Sequence, residues 1–237
     1  MAFVKSARGA GLWLALMLAG VVPALGQTGF QSMADDAYSA YRVALFQTNA
    51  NDQKATLDAL AAAQGGWSKV VSTYRDKPPA IYADDRAYAK DLDEVSGLLS
   101  RAQAQAAAGT LPAAHETLEG VRDILGELRR RNGVIVFSDH INAYHTEMER
   151  VIGGEIAMED RRALIEQSGV LVYLDRKIRA NAPAAYQGDP KFQQLSAGNT
   201  AAIEKLRTAL ASNAVADIKS AIESLKPAYA KLFLAFG

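Results

Sequence analysis

Two histidines, a methionine and several acids lie close together in the segment 137–149, which reads FSDHINAYHTEME. His145, Met148 and Glu149 are spaced by three and four residues, so on a helix their side chains share one face. An imidazole beside a thioether suits copper, above all its monovalent state, and an imidazole beside carboxylates suits iron, zinc or divalent copper. The spacing therefore predicts a transition-metal site, with copper as the first choice.

His140 is the fourth predicted ligand, but it lies five residues before His145, about 140° round a helix. His140 reaches the same ion as His145 only if the helix begins later than predicted, or if His140 binds that ion from a second bundle. The competing interpretation is that the cluster is a chance pattern, with Met148 in the core and Glu149 a solvated charge. His115 lies on an apolar helical stripe, which favours a half-buried, hydrogen-bonded imidazole.

Composition excludes several function classes. The chain has no cysteine, which excludes thiolate catalysis, cysteine-ligated iron–sulfur clusters and thioether-attached haem. The 26 Lys and Arg residues balance 26 Asp and Glu residues, so the formal net charge is zero. A neutral chain favours binding neither to nucleic acid nor to an anionic membrane surface. No nucleophile–base, P-loop or dinucleotide motif is present, so we expect no catalytic activity and no catalytic residues.

Helix-forming residues and apolar positions at three- and four-residue spacing predict an all-α protein. Prolines and glycines fall between the periodic segments, as at Lys77-Pro78-Pro79, Asn181-Ala182-Pro183 and Gly109. Asn213 is predicted as a second helix cap. The predicted helices are 33–49, 53–76, 84–108, 111–131, 138–152, 157–180, 188–211 and 214–235.

The N-terminus has the pattern of a secretory signal. Lys5 and Arg8 precede the apolar run 11–22, which is short for a membrane span, and Ala24-Leu25-Gly26 is a small-residue cleavage site. The alternative is an uncleaved anchor. We therefore expect a signal peptide over residues 1–26 and a mature protein in the periplasm or outside the cell, with no membrane contact after cleavage.

The rest of the chain has the pattern of an internal duplication. A shift of 104 positions aligns the two halves without a gap and superposes prolines, tyrosines and acids as well as apolar residues. The predicted units are a helical bundle over 27–132 and a second over 133–237, each an up-down-up-down four-helix bundle. The apolar segment Val134 to Phe137 is expected to pack between them. The identical pairs include Leu60/Leu164, Arg75/Arg179, Pro79/Pro183, Tyr82/Tyr186 and Asp85/Asp189.

The block Pro79-Ala80-Ile81-Tyr82, a long helix, Gly109 and a last helix resemble the four-helix cytochromes, namely cytochrome c-prime and its soluble b-type relative. The segment from Phe192 to Phe236 resembles them in the same way. The resemblance implies a haem held by a histidine near the end of the fourth helix. This sequence has Arg129 to Arg131 and Lys231 to Phe233 at those places, so the haem ligands are not matched.

Three functions follow from these patterns. The first is an exported helical metal-binding protein, a carrier or buffer of copper or another transition metal, that uses His145, Met148, Glu149 and His140. The second is a non-enzymatic protein-interaction module without a cofactor. The third is a divergent b-type cytochrome-like electron-transfer protein.

Overall fold

The computed structural model describes residues 25–212 and 214–237, with side chains from residue 29 onward. The predicted signal segment therefore lies outside the described residues, except for the backbone of its last two, and so does the predicted cap at Asn213. Every regular element in the described part of the chain is helical. The all-α prediction is confirmed.

Within the described residues eight long helices carry the fold, and their bounds fall within a few residues of the predicted ones in most cases. A short 3₁₀ turn, Ala80–Tyr82, and a four-residue helix, Ala184–Gln187, occupy matching places in the two halves. The helices are α1 (Leu25–Asn49), α2 (Gln53–Tyr74), α3 (Tyr88–Ala107), α4 (Leu111–Arg131), α5 (Phe137–Ile152), α6 (Arg161–Ala180), α7 (Ala184–Gln187), α8 (Pro190–Ser212) and α9 (Val215–Phe236).

Capping residues mark several of the helix ends. The Asp52 and Asp160 carboxylates accept hydrogen bonds from the backbone N–H groups of Ala55 and Ala163, and these two caps begin α2 and α6. Gly109, with φ +78°, reverses the chain between α3 and α4 in the left-handed conformation that glycine adopts without strain.

Helix α1 begins about eight residues earlier than predicted. Phe30, in the added turns, is 4% exposed and packs edge-on against Tyr74 and Tyr82, with ring centroids 5.4 and 5.5 Å away. This aromatic contact stabilises turns whose glycines, Gly26 and Gly29, have low helix propensity.

Helix contacts follow chain order within each half. α1 packs against α2 and α4, and α3 packs against the same two helices; α5 packs against α6 and α9, and α8 against those two. The first helix also contacts the last one, α1 against α9. The buried apolar side chains of both halves belong to one continuous cluster, to which Leu60 and Leu164, each 0% exposed, contribute equivalently.

The linker between the halves differs from the prediction. Val134 and Phe137 pack partly against the core, but Ile135 is 73% exposed. Only part of the segment is buried: Val136, the residue before α5, is extended, and successive side chains of an extended segment point to opposite sides. Among the described helices, none combines the length and apolarity needed to cross a bilayer.

Candidate functional site

The predicted ligands lie on α5, whose first turn is fixed to the end of α4. The Asp139 carboxylate accepts a hydrogen bond from the backbone N–H of Val136 at 3.0 Å and forms a forked ion pair with Arg129, whose Nε lies 3.0 Å from both of its oxygens. Arg129 is 8% exposed, so this pair is largely removed from water. It joins the first turn of α5 to the end of α4, while the packing of α5 against α6 and α9 fixes the rest of the helix.

Met148 points into the core. Its side chain is 0% exposed, as is Ala44, the residue 104 positions earlier. The predicted helical spacing is present, but this face of α5 turns inward at Met148. Core residues enclose the thioether.

His145 and Glu149 meet at the edge of that core. His145 Nε2 lies 3.2 Å from Glu149 Oε1, and Lys226 Nζ of α9 lies 3.2 Å from the same oxygen. The His145 ring packs on Tyr229, with ring centroids 5.0 Å apart. Burial alone would raise the pKa of the Glu149 carboxyl, but its contacts with His145 and Lys226 hold that pKa below the usual value.

His115 of α4 is the half-buried, hydrogen-bonded imidazole that the sequence predicted. The Thr48 hydroxyl donates to the Leu45 carbonyl oxygen at 2.7 Å, so the His115 Nδ1–H donates to the Thr48 oxygen, also at 2.7 Å. Nε2 is then free to accept from the Asn49 amide at 3.4 Å. Burial lowers the pKa of His115, in agreement with a neutral ring.

Both histidines line one small cavity of about 30 Å³ between α1, α4, α5 and α9. Glu119 and Lys226 line the same cavity, and Glu119 Oε1 lies 3.6 Å from His115 Nε2. Sequence spacing does not group His115 with His145, because the two lie on different helices that only the fold brings together. Their common signal was a histidine on the apolar stripe of each helix.

His140 lies on a different side of α5. It lines an open groove of about 610 Å³ where α4, the linker, α5 and α6 meet. Burial, followed by the nearby Lys177 charge, lowers its pKa. Its separation from His145 agrees with the five-residue spacing between them.

The structure therefore brings two of the four predicted ligands into direct contact, His145 and Glu149. Met148 lies in the core and His140 in the groove. Across residues 25–212 and 214–237, no group of three or more His, Cys, Asp or Glu side chains has an arrangement that could hold a metal ion.

The groove that contains His140 is the larger of the two spaces beside α5. Its apolar wall comes from the linker and α5, through Val134, Ile135 and Ala143. Two of its charges are already paired: the Arg130 guanidinium bonds Glu127 through Nε and Nη2, both at 2.7 Å. Lys177 lies over the Tyr173 ring at 5.8 Å and takes part in no ion pair within the described part of the chain.

Arg122 separates the groove from the histidine cavity and lines both. It is 8% exposed, and its ion pairs are long, 3.6 Å to Glu119 and 3.8 Å to Asp123. Nη1 is buried without a hydrogen-bond partner among the described residues. The contact between the two halves therefore contains a buried cation that is weakly paired.

The fold and the site define an all-helical protein with a polar cavity and an open groove between its two halves. Comparison with protein-family models, with curated proteins and with solved structures finds no match for the chain.

Proposed function

We propose that this is an exported, non-enzymatic binding protein that holds a segment of a partner protein in the groove between α4 and α5. The observation that carries the proposal is the groove itself, a space of about 610 Å³ beside Ile135, which is 73% exposed on the linker. Exposed apolar side chains at the edge of a concave surface are typical of interaction sites. Export rests on the signal pattern in residues 1–26.

The groove chemistry favours a partner segment with apolar side chains and an acidic group. Val134, Ile135 and Ala143 offer apolar contact. Lys177 supplies a positive charge, whereas the Arg130 charge is already balanced by Glu127. A carboxylate on the partner would complement Lys177 and fix the register of the bound segment.

Photo-crosslinking in the native compartment tests this function. A photoreactive residue at Ile135 should give a discrete adduct, whereas the same residue at Val215, 65% exposed at the start of α9, should not. A synthetic peptide of the crosslinked segment should bind the purified protein, and Ile135→Asp should weaken that binding at least about tenfold, because it places a charge in the apolar wall. The proposal fails if both positions give the same adducts or if the peptide does not bind.

Copper binding stays a second candidate, and the contact between His145 and Glu149 favours it. A nitrogen and an oxygen donor lie 3.2 Å apart in this contact. Two protein ligands make a weak site, so a third donor, Met148 or His115, would have to move. The double variant His145→Ala, Met148→Leu should abolish stoichiometric copper binding with little change in helical signal, and unaltered binding would exclude this site.

The cytochrome-like alternative has a direct test in the same preparation. Protein purified from its native compartment and carrying haem would show a Soret band in its visible spectrum. The absence of that band from protein purified with haem supplied would exclude the electron-transfer function.

We also propose that the chain arose by duplication of a four-helix bundle. Support comes from pairs of positions 104 residues apart. Pro79 and Pro183 have φ,ψ of −54°,149° and −53°,149°, and each carbonyl accepts from the tyrosine N–H three residues on, at 2.8 Å. The Asn142 amide also donates to the Tyr38 hydroxyl at 3.3 Å. These two positions are 104 residues apart, so equivalent positions of the two halves meet each other.

A further inference from the structure

Arg75, at the end of α2, is enclosed by two carboxylates. Its Nε and Nη2 donate to the two oxygens of Asp93 at 2.8 and 2.7 Å, and its Nη1 donates to Asp76 at 2.8 Å. This is the forked geometry in which a guanidinium recognises a carboxylate most strongly. The Arg75 hydrogen bonds hold the pKa of Asp93 below its usual value.

Arg179 has the same place in the second half, four residues before Pro183 as Arg75 is before Pro79. Both acids are missing there. The residues 104 positions beyond Asp93 and Asp76 are Ala197 and Ala180. The forked carboxylate partner of Arg75 therefore has no counterpart beside Arg179.

A pocket of about 480 Å³ opens where those carboxylates are missing. Arg179 forms one wall, and both alanines contribute to the lining. Phe192, Gln187 and Gln193 line the rest of this open space. The lining residues are Arg179, Ala180, Gln187, Phe192, Gln193, Ser196 and Ala197.

The guanidinium of Arg179 is held in position from the core side. Its Nη2 donates to Asp175 Oδ2 at 2.9 Å, and Asp175 is 2% exposed. The Asn199 amide and the Thr200 hydroxyl donate to the Asp175 oxygens at 3.0 and 2.8 Å. Within the described residues Nε and Nη1 of Arg179 make no hydrogen bond, and Asp175 takes only one of the two hydrogens on Nη2, so the guanidinium keeps unpaired donors.

A second polar group without a partner in the described part of the chain, the Ser196 hydroxyl, belongs to a residue that lines the pocket. Ser196 is 3% exposed, lines the pocket, and its Oγ is buried without a hydrogen-bond partner among the described residues. The residue 104 positions earlier is Leu92, which is 0% exposed. A buried hydroxyl without a partner costs free energy unless a ligand or water satisfies it.

We propose that this pocket binds a small organic carboxylate, which takes the place beside Arg179 that Asp93 takes beside Arg75. The carboxylate accepts from the Arg179 donors that Asp175 leaves unpaired, and Ser196 Oγ, which is buried where it lies and without a partner among the described residues, donates to the ligand after rotation about the Cα–Cβ bond. Asp175 does not exclude a second anion, because Arg75 already holds two carboxylates. The ligand's carbon skeleton lies against Ala180, Ala197 and Phe192. This site is separate from the groove between α4 and α5 and does not depend on the function proposed for it.

An NMR titration with benzoate, and with benzamide as its uncharged analogue, tests the proposal on the intact protein. Benzoate should shift the amide signals of Ser196 and Ala197, and benzamide should bind at least about tenfold more weakly because it lacks the charge that the fork recognises. Equal shifts with the two probes, or no shift with benzoate, would overturn the proposal.

Two substitutions copy one half of the chain into the other. Ala197→Asp restores the internal carboxylate at an exposed position and should weaken benzoate binding at least about tenfold. Asp93→Ala removes the partner of Arg75 and should create a second benzoate site in the first half. Unchanged binding in the first variant, or no second site in the other, would contradict the correspondence on which the proposal rests.

Arg207→Gln is the matched control. Arg207 lies on α8 with its side chain 48% exposed and pairs with Glu204, whereas the Arg179 side chain is 45% exposed. If charge alone attracted benzoate, both arginine variants would lose affinity equally, which would overturn the proposal. The pocket predicts a loss with Arg179→Gln and no change with Arg207→Gln.

Discussion

Burial and most of the groups around the His115 imidazole favour its neutral form, and they outweigh the Glu119 carboxylate 3.6 Å from Nε2, which raises the pKa. Its Nδ1–H donates to Thr48, its Nε2 accepts from Asn49, and burial lowers its pKa from the ordinary value of 6.5. Protonation would turn the accepting nitrogen into a donor that faces the Asn49 amide. It would also add a positive charge to a cavity that already contains Arg122 and Lys226.

The protein should therefore lose stability on mild acidification. Because the folded pKa of His115 lies below the unfolded one, its contribution to stability is present above pH 6.5 and is lost as the pH falls through the folded pKa. His115→Gln keeps hydrogen bonding and should flatten the dependence of Tm on pH between about 6.5 and 4.5. Thermal melts across that range measure the difference.

His140→Gln serves as the control for this effect. The pKa of His140 is also lowered, but His140 lines an open groove, so solvent screens its charge. Glu149 affects stability in a different pH range. Because the pKa of Glu149 is lowered in the folded protein, its contribution to stability is fully present above pH 4.5 and is lost as the pH falls below that value. If His140→Gln flattened the profile as much as His115→Gln, the assignment to His115 would be wrong.

The sequence predicted the direction of side chains on α5 better than their depth. Three- and four-residue spacing put His145, Met148 and Glu149 on one face, and His145 does contact Glu149. Periodicity does not say how deep that face lies, and Met148 is enclosed because α5 packs against α6 and α9. The asymmetry between Arg75 and Arg179 was present in the sequence, but its meaning depends on Asp93 reaching across from α3.

At the scale of the helices, the Arg129–Asp139 pair joins the end of α4 to the start of α5. Asp139→Ala removes the carboxylate and leaves an Arg129 side chain that is 10% exposed without its forked partner. Breaking a fully buried pair by removing one member costs about 3–5 kcal/mol. Because the Asp139 side chain is 23% exposed, we expect a loss of about 2–3 kcal/mol in the free energy of unfolding, measured by urea denaturation.

A neighbouring pair on α4 provides the control for this measurement. Glu127 pairs with Arg130, but the two side chains are 42% and 75% exposed. Surface ion pairs contribute about 0–1 kcal/mol, so Glu127→Ala should change the free energy of unfolding only slightly. Equal losses in the two variants would show that burial does not distinguish these pairs.

Helix α1 shows where local sequence was insufficient to define an element. The predicted start at residue 33 followed helix propensity, and the observed start at Leu25 depends on contacts from Phe30 to tyrosines of α2 and of the turn before α3. Phe30→Ala should destabilise the protein by about 3–5 kcal/mol, the usual cost of removing a buried phenylalanine. Val43→Ala, at a position 37% exposed on the same helix, should cost far less in the same denaturation experiment.

For the whole molecule, the continuous core predicts cooperative unfolding. The buried side chains of both halves belong to one cluster, so neither half can lose its packing without exposing apolar surface of the other. A calorimetric scan should show one transition whose calorimetric and van't Hoff enthalpies agree. Two resolved transitions would instead indicate that the halves unfold independently.

The helical class and most helix boundaries followed from periodicity and from proline and glycine positions. The contact between the halves did not, because it depends on which faces of α1, α4, α5 and α9 remain apolar after each helix has packed within its own half. Tyr38 and Tyr41 illustrate the difficulty: both are buried, yet the Tyr41 hydroxyl bonds within its own half to Leu118, whereas Tyr38 bonds across to Asn142. Sequence spacing alone does not separate these two roles.

The contact between α1 and α9 has a consequence for the order in which the chain folds. Leu45 and Phe46 of α1 line the same cavity as Tyr229 and Phe233 of α9, so the first described helix completes its packing only with the last. A growing polypeptide must therefore leave this surface uncovered until the 22 residues of α9 have been synthesised. A ribosome-bound chain that ends before Val215 should still expose this apolar surface to chaperones, and a chain that extends through Phe236 and has left the ribosome should not.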